Sequence, residues 1–407
     1  MELKTNYQYT YFVHPFVIGE GKYQKYILNL IKDDRFKLRV FEKNKDIDLY
    51  NYFSPKTREY LFSSFSHTGQ KLEKLEELPE ETKSAILSKN PCTIFEYKLK
   101  EDIQGKATEK GIFFKVRKIE IICFNTGICF FIMKTNIEES NNFSDLLNFN
   151  YKFRSINQEN TLSNYDKIYL QTSTFDDVNK LTEFIKGITG SDLEAMKIDI
   201  DTEKFLTYSY VCIDRAAWNS NKNFENIKYN FNKYANFLPA DNSVELEQDD
   251  AKQFSEWKYA KFGFTKQGVV LFTSSSDINN FTELPDKFEN EYFYTYILNL
   301  YKKIYLKKLE TEFKKLSNVK KARKKFIDFT KNVWILDITT DEVGSKINLI
   351  IGKTFELDRL FTEIKTKYDV LYKESNIENN SKIMLVVAII LGVSLVFNVL
   401  NYINIIK

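Results

Sequence analysis

Histidine and cysteine are nearly absent from these 407 residues: His14, His67, Cys92, Cys123, Cys129 and Cys212 are all there are. A zinc fold needs four such ligands at recognisable spacing, and Cys123 and Cys129 stand six apart rather than three, so it is excluded. So few cysteines make no disulfide framework, which fits a reducing compartment, and they read as small buried apolar residues. Glycine (13) and proline (6) are also scarce, which argues for long regular elements and against all-β blades, collagen-like repeats or proline-rich linkers. Neither charge dominates: Lys+Arg 59 against Asp+Glu 56 leaves +3, so neither a bulk-basic nucleic-acid binder nor an acidic disordered tail is indicated. The opening MELKTNYQYTYFVHPF has no basic segment leading into an apolar one, so no signal peptide is expected.

Motifs of catalysis are missing too. Gly19-Glu20-Gly21-Lys22 is too short for a phosphate loop, and no H-E-x-x-H, G-x-S-x-G, H-R-D or calcium-loop pattern occurs. Two histidines give a His-based acid–base mechanism little material. His14, beside Pro15 in an apolar run, reads as a packed strand residue, and His67 as a loop residue. Carboxylates are plentiful but none is marked by spacing, so the chain is not expected to be an enzyme.

What is abundant is apolar and aromatic surface: 43% hydrophobic residues, with 35 Phe and 25 Tyr, enough to offset the entropy of folding. The pattern predicts an α+β protein whose N-terminal region, 1–283, is mixed α/β, either as one body or as two subdomains meeting near 155–170. Residues 9–18 and 205–213 read as strands, and 23–31 as a helix with Tyr23, Tyr26, Ile27 and Leu30 on one face. Runs 115–124 and 127–135 flank the turn triplet Asn125-Thr126-Gly127, a hairpin whose strands are apolar on both faces and therefore central. Residues 143–153 shift towards helical period, 175–188 is expected as a helix capped near Thr174, and 258–275 repeats the hairpin pattern around Lys266-Gln267-Gly268.

From Leu284 the pattern turns helical, and 284–380 reads as a long antiparallel helical bundle and stalk. Residues 286–316 contain no Gly or Pro, and a second helix follows through Ala322, Phe326 and Phe329. A third carries Val343, Ile347, Ile350, Thr354, Leu357, Phe361, Ile364, Tyr368 and Leu371 at alternating spacings of four and three, the heptad of an associating stalk or of a three-helix bundle. Thr339-Thr340-Asp341-Glu342 fits a capping box with Thr339 as N-cap and Glu342 reaching back. Between Lys302 and Lys325 eleven Lys/Arg face two Glu, a local +9. Its core, Lys320, Lys321, Arg323, Lys324 and Lys325, is either a solvated helical face or a basic collar near anionic headgroups or an ion path.

The strongest signal is last. Ile383–Ile406 holds 24 residues without a charge, about 36 Å of helix, the length of a transmembrane span. Lysine-rich flanks place the large domain in the cytoplasm, as a single-pass, tail-anchored protein of the cell membrane. Within the span Ser394, Asn398 and Asn401 fall on one helical face, with Asn404 almost a turn further and Gly392 nearby permitting close approach. An unpartnered amide in hydrocarbon is costly, so this stripe should meet another helix or water, as interhelical glue or as a pore wall.

An α/β domain, long antiparallel helices and a heptad helix feeding into a membrane span make an order of parts that resembles the CorA family of divalent-cation transporters. The similarity is strongest over Leu284–Lys407, where WILDITTDEVGSKI and FTEIKTKYDVLYKE look like that family's stalk helix. The family's pore helix ends in Gly-Met-Asn before a short loop and a second membrane helix; these 407 residues contain neither. The resemblance implies a homo-oligomer in the lipid bilayer, with Mg²⁺ or another divalent cation as cargo; beside a membrane anchor, no nucleic-acid partner is expected. The alternative expectation is a membrane-tethered sensing or binding module, or a signal-gated effector, that transports nothing.

Overall fold

The computed structural model describes the chain except residues 1, 20, 63–74, 76, 100–102, 108–111, 139, 155–167, 173–174, 191–203, 242–250, 315–318, 335–336 and 407; of the side chains of 103–104, 106–107, 168–180, 182–183, 319, 372, 374–383 and 395–406 only the backbone course is considered. The fold is mixed α+β. Contacts divide the chain into two units: Met1–Tyr305 with Trp334–Leu357, and Leu306–Val333 with Asp358–Lys407. His67 lies outside the described residues, as do Ser191, Asp192 and the acidic run 245–250.

The first unit is built on one sheet. Its strands are β1 (Thr5–Val17), β2 (Phe36–Leu38), β3 (Cys92–Tyr97), β4 (Ile103–Ala107), β5 (Ile112–Phe124), β6 (Ile128–Ile137), β7 (Ile168–Thr172), β8 (Phe175–Lys180), β9 (Leu206–Ile213), β10 (Lys252–Phe254), β11 (Ala260–Thr265) and β12 (Gly268–Ser274). They lie in the order β10-β11-β12-β9-β1-β6-β5-β4-β7-β8, with β3 pairing β5 and β2 pairing β3. Every neighbour is antiparallel except β9 with β12. The predicted hairpin is β5–β6, in register Cys123↔Cys129. Its turn needs glycine: Gly127 has φ 80°, and a Cβ there would stand 2.3 Å from the Ile18 carbonyl oxygen. The second hairpin is β11–β12.

One sheet continues on both sides of 155–170, since β1 pairs β6 on one side and β9 on the other. One expectation for this region is corrected. Residues 175–180 are not helix but β8, drawn into the sheet by pairing with β7; the helix starts only at Leu181 and runs to Thr189, and Thr174 lies outside the described residues.

Alternation along β1 shows why both faces are covered. Phe12 and Phe16 join Phe131, Phe149, Phe153, Phe205 and Phe272 in one core. Helices α1 (Tyr23–Lys32), α2 (Ile47–Tyr52), α3 (Pro55–Leu61), α4 (Glu80–Leu87), α5 (Phe143–Phe153), α6 (Leu181–Thr189) and α7 (Lys228–Ala235) follow in the chain; α1, α4, α5, α6 and α7 contribute Ile27, Leu87, Leu147, Ile185 and Tyr234 to that core. Tyr9 and Tyr11 point the other way, with Tyr208, Tyr210 and Phe262, against α8 (Glu283–Lys287), a wide π turn (Phe288–Tyr292) and α9 (Phe293–Phe313). Tyr208 stacks on Phe288 at 4.0 Å between ring centres. Tyrosine suits this layer because its ring fills the core while its hydroxyl answers carbonyls of the irregular stretch: Tyr9 donates to Pro285 O at 2.7 Å, Tyr208 to Phe288 O at 2.7 Å, and Tyr210 to Asn280 O.

The heptad stripe is not one helix. It is shared between α11 (Glu342–Thr354) and α12 (Leu357–Ile406), after α10 (Val319–Phe329), and broken at Phe355-Glu356, where Glu356 takes φ 57°. Val343, Ile347, Ile350, Thr354 and Leu357 belong to the first unit, and Phe361, Ile364, Tyr368 and Leu371 to the second, so the expected stripe over 343–371 is not carried by one continuous helix. The cap is corrected as well. Asp341, not Thr339, is the N-cap and accepts from Gly344 N at 2.6 Å; Thr339 is occupied, donating to Tyr52 O and accepting from Asp341 N at 3.0 Å. Glu342 turns instead to Lys346, 3.1 Å away.

The second unit is a small three-helix bundle with one helix prolonged. The end of α9, α10 and the start of α12 bury Leu309, Phe313, Ala322, Phe326, Phe329, Leu360 and Ile364. Phe326 lies 5.4 Å from the rings of both Phe361 and Tyr368. Lys325 holds Glu312 at 2.8 Å and Lys367 holds Glu310 at 2.9 Å.

Candidate functional site

Two places carry more chemistry than packing requires, one in each unit. The first is the prolonged end of α12. This helix has 50 residues, about 75 Å at 1.5 Å per residue. Among the residues described beyond the bundle, Met384, Leu385, Val386, Val387, Ile389, Ile390, Leu391 and Val393 are all exposed, from 47% at Val387 to 73% at Met384. Successive positions advance by 100°, so Met384 to Val387 alone circle the helix, and no polar face remains towards water. Gly392 has no neighbour within 4 Å of where a Cβ would sit, and Ser394 is exposed. The side chains of Asn398, Asn401 and Asn404 lie outside the described residues. Among the described residues no helix is long and apolar enough to cross a membrane; the second half of the apolar run is not among them.

Of the basic residues, Lys325 and Arg323 are drawn into the bundle, Lys325 by Glu312 and Arg323 over the Tyr368 ring at 5.5 Å. Lys320, Lys321 and Lys324 are exposed.

The second place was not foreseen. On the tyrosine face of the sheet, β5 and β6 set charged side chains among apolar ones: Lys118, Glu120 and Lys134. Glu120 is buried with Lys118 at 3.0 Å. Lys134 Nζ sits 2.6 Å from Glu289 of the π turn and 4.6 Å from the centre of the Tyr9 ring, while Tyr11 donates to the other Glu289 oxygen at 2.6 Å. Burial pushes the Lys118 ammonium down, but the carboxylates of Glu120, Glu289 and Glu96 outweigh it and hold its pKa above the ordinary value. Burial, then Glu289, pushes the Tyr11 phenol well up. The charges alternate in sign and each is answered by its neighbour, so the arrangement pins the π turn to the sheet and leaves no group poised for proton transfer. The signal was present in the sequence: charges inside β-branched and aromatic strands are out of place unless paired.

One carboxyl does titrate near neutrality. Glu291 is pushed up to about 7, mainly by burial, with Asp341 and Asp48 adding to the rise and Lys287 opposing it. Among the described residues no three of His, Cys, Asp and Glu come together in a way that could hold a metal ion. All four cysteines are buried and none forms a disulfide. Comparison with known protein families, with characterised proteins and with solved structures finds no match.

Proposed function

We propose that the chain is a membrane-anchored, homo-oligomeric protein of CorA-like organisation, in which the distal half of α12 crosses the bilayer and packs against its copies. The observation that carries this reading is the apolar helix end without a polar face: such a surface is stable only in hydrocarbon or against equally apolar partners. Ser394, Asn398 and Asn401 then face the assembly axis, where hydroxyl and amide oxygens can hold a divalent cation or pair between helices. The chain order of α/β unit, helical bundle and prolonged helix supports the family reading.

The mass of the full-length protein in a mild detergent tests it. A particle of several 48.2 kDa subunits is expected, with cation flux in reconstituted vesicles that Asn398→Leu abolishes. A monomer removes the channel, since one helix encloses no path.

A further inference from the structure

We infer that the basic N-terminal part of α10 is a docking surface for anionic phospholipid headgroups of the membrane in which α12 ends. The inference rests on the membrane reading above and adds to it a lipid preference. Its basis is register within the second unit. Phe326 packs at a tilt against both Phe361 and Tyr368, and Arg323 lies over Tyr368, so α10 runs antiparallel to α12 and its N-terminal turn, Lys320 and Lys321, faces the apolar end. Tyr368 precedes Ile383 by fifteen residues, about 22 Å of helix, and Lys320 lies a further turn, about 5 Å, towards that end. Headgroups occupy roughly 5–7 Å outside the hydrocarbon. About 10–12 Å remain, close to one screening length at physiological salt, before the reach of the lysine side chain is counted.

Charge sorting leaves the N-terminal part of α10 mainly basic. The two glutamates of the hairpin are engaged inside the bundle, Glu310 by Lys367 and Lys314 and Glu312 by Lys325. Lys320, Lys321 and Lys324 are exposed, and Lys373 of α12 is exposed at the same end; Asp369 is the acidic residue exposed nearby on α12. The polar face of α10 opposes a buried edge of Ala322, Phe326 and Phe329, so the lysines are held on a packed helix and reach a surface without losing that order.

A membrane-proximal lysine multiplies partition into an anionic surface roughly fivefold, and three give about a hundredfold. The test is co-flotation of the full-length protein with vesicles of phosphatidylcholine alone or with about a third phosphatidylserine, at low and high salt. Expected is a preference for the anionic vesicles of tenfold or more, lost at high salt. Lys320→Glu, Lys321→Glu and Lys324→Glu together should abolish that preference and leave flotation with the zwitterionic vesicles unchanged; the milder Gln versions should reduce it. Equal flotation of the wild type with both vesicles overturns the docking surface while leaving the anchor standing. Flotation with anionic vesicles alone, lost in the Glu variant, supports the docking surface and removes the anchor; flotation with neither removes both. Salt-sensitive retardation of duplex DNA without any vesicle preference overturns the inference in favour of a nucleic-acid surface.

Discussion

The two units solve the burial problem differently. The first encloses a wide sheet between helices, so that Phe12, Val13, Phe131, Ile132 and Tyr208 are all at 0–1% exposure. The second has a slender core, nine buried apolar side chains among its described residues, and then extends one helix whose apolar side chains face outward on every side. A region that buries its own apolar surface needs no partner to be stable, whereas one that displays it is built for an environment it does not contain.

The sharpest way to break this comparison is to damage each core in turn. Phe12→Ala removes a ring from a cluster with Phe149, Phe153 and Phe205 and should cost about 3–5 kcal/mol. The loss should appear as a lower urea midpoint for the whole sheet, followed by near-ultraviolet circular dichroism. Phe326→Ala should cost about 3 kcal/mol but act locally. Hydrogen exchange should accelerate in 306–333 and 358–371 while the amides of β1, β6 and β9 keep their protection; a matching loss in the sheet would show that the two units unfold as one.

Within the first unit, acidity offers a finer probe. His14 is buried without a hydrogen-bond partner and its pKa falls to about 4 by desolvation. Between pH 6.5 and 4 the unfolded chain takes up a proton that the folded one refuses, so stability falls as pH falls, by about 3 kcal/mol. Glu291, at about 7, behaves oppositely: between roughly pH 4.5 and 7 the folded state keeps a proton the unfolded state has lost. Stability therefore falls as pH rises through that window, by about 1–2 kcal/mol once solvent screening of a half-buried group is allowed for. His14→Phe should unmask the Glu291 slope and Glu291→Gln the His14 slope. Parallel pH profiles for the two variants would contradict both assignments. The smallest effect belongs to Asp341→Ala, which removes the cap of α11 at about 1 kcal/mol, read as a shift in thermal midpoint.

Much of this was legible in the sequence. The β5–β6 and β11–β12 hairpins were announced by turn residues between apolar runs, and α1 by the spacing of Tyr23, Tyr26, Ile27 and Leu30, all of which are buried. What escaped depended on partners distant in the chain. Thr339 has the chemistry of an N-cap, but Tyr52 claims its hydroxyl, and the cap moves two residues on. The heptad continues across Glu356 because α11 and α12 each bury one edge, and periodicity cannot register a kink made without glycine or proline. Residues 175–180 were read as helix because nothing in their pattern reveals a waiting strand, β7. Of the candidate sites, the apolar run and basic segment could be read locally, whereas the Lys134–Glu289 pair joins residues 155 positions apart.

The place of β1 in the sheet also sets an order of events during synthesis. It is the first strand made, yet it sits between β6 and β9, and β9 in turn borders β12. At roughly 5–20 residues per second the ribosome takes some 10–40 seconds to pass from Thr5–Val17 to Leu206–Ile213. Throughout that interval a strand of tyrosine and phenylalanine has at most one of its two neighbours, so the nascent chain carries a sticky edge that chaperones or early pairing with β6 must shield.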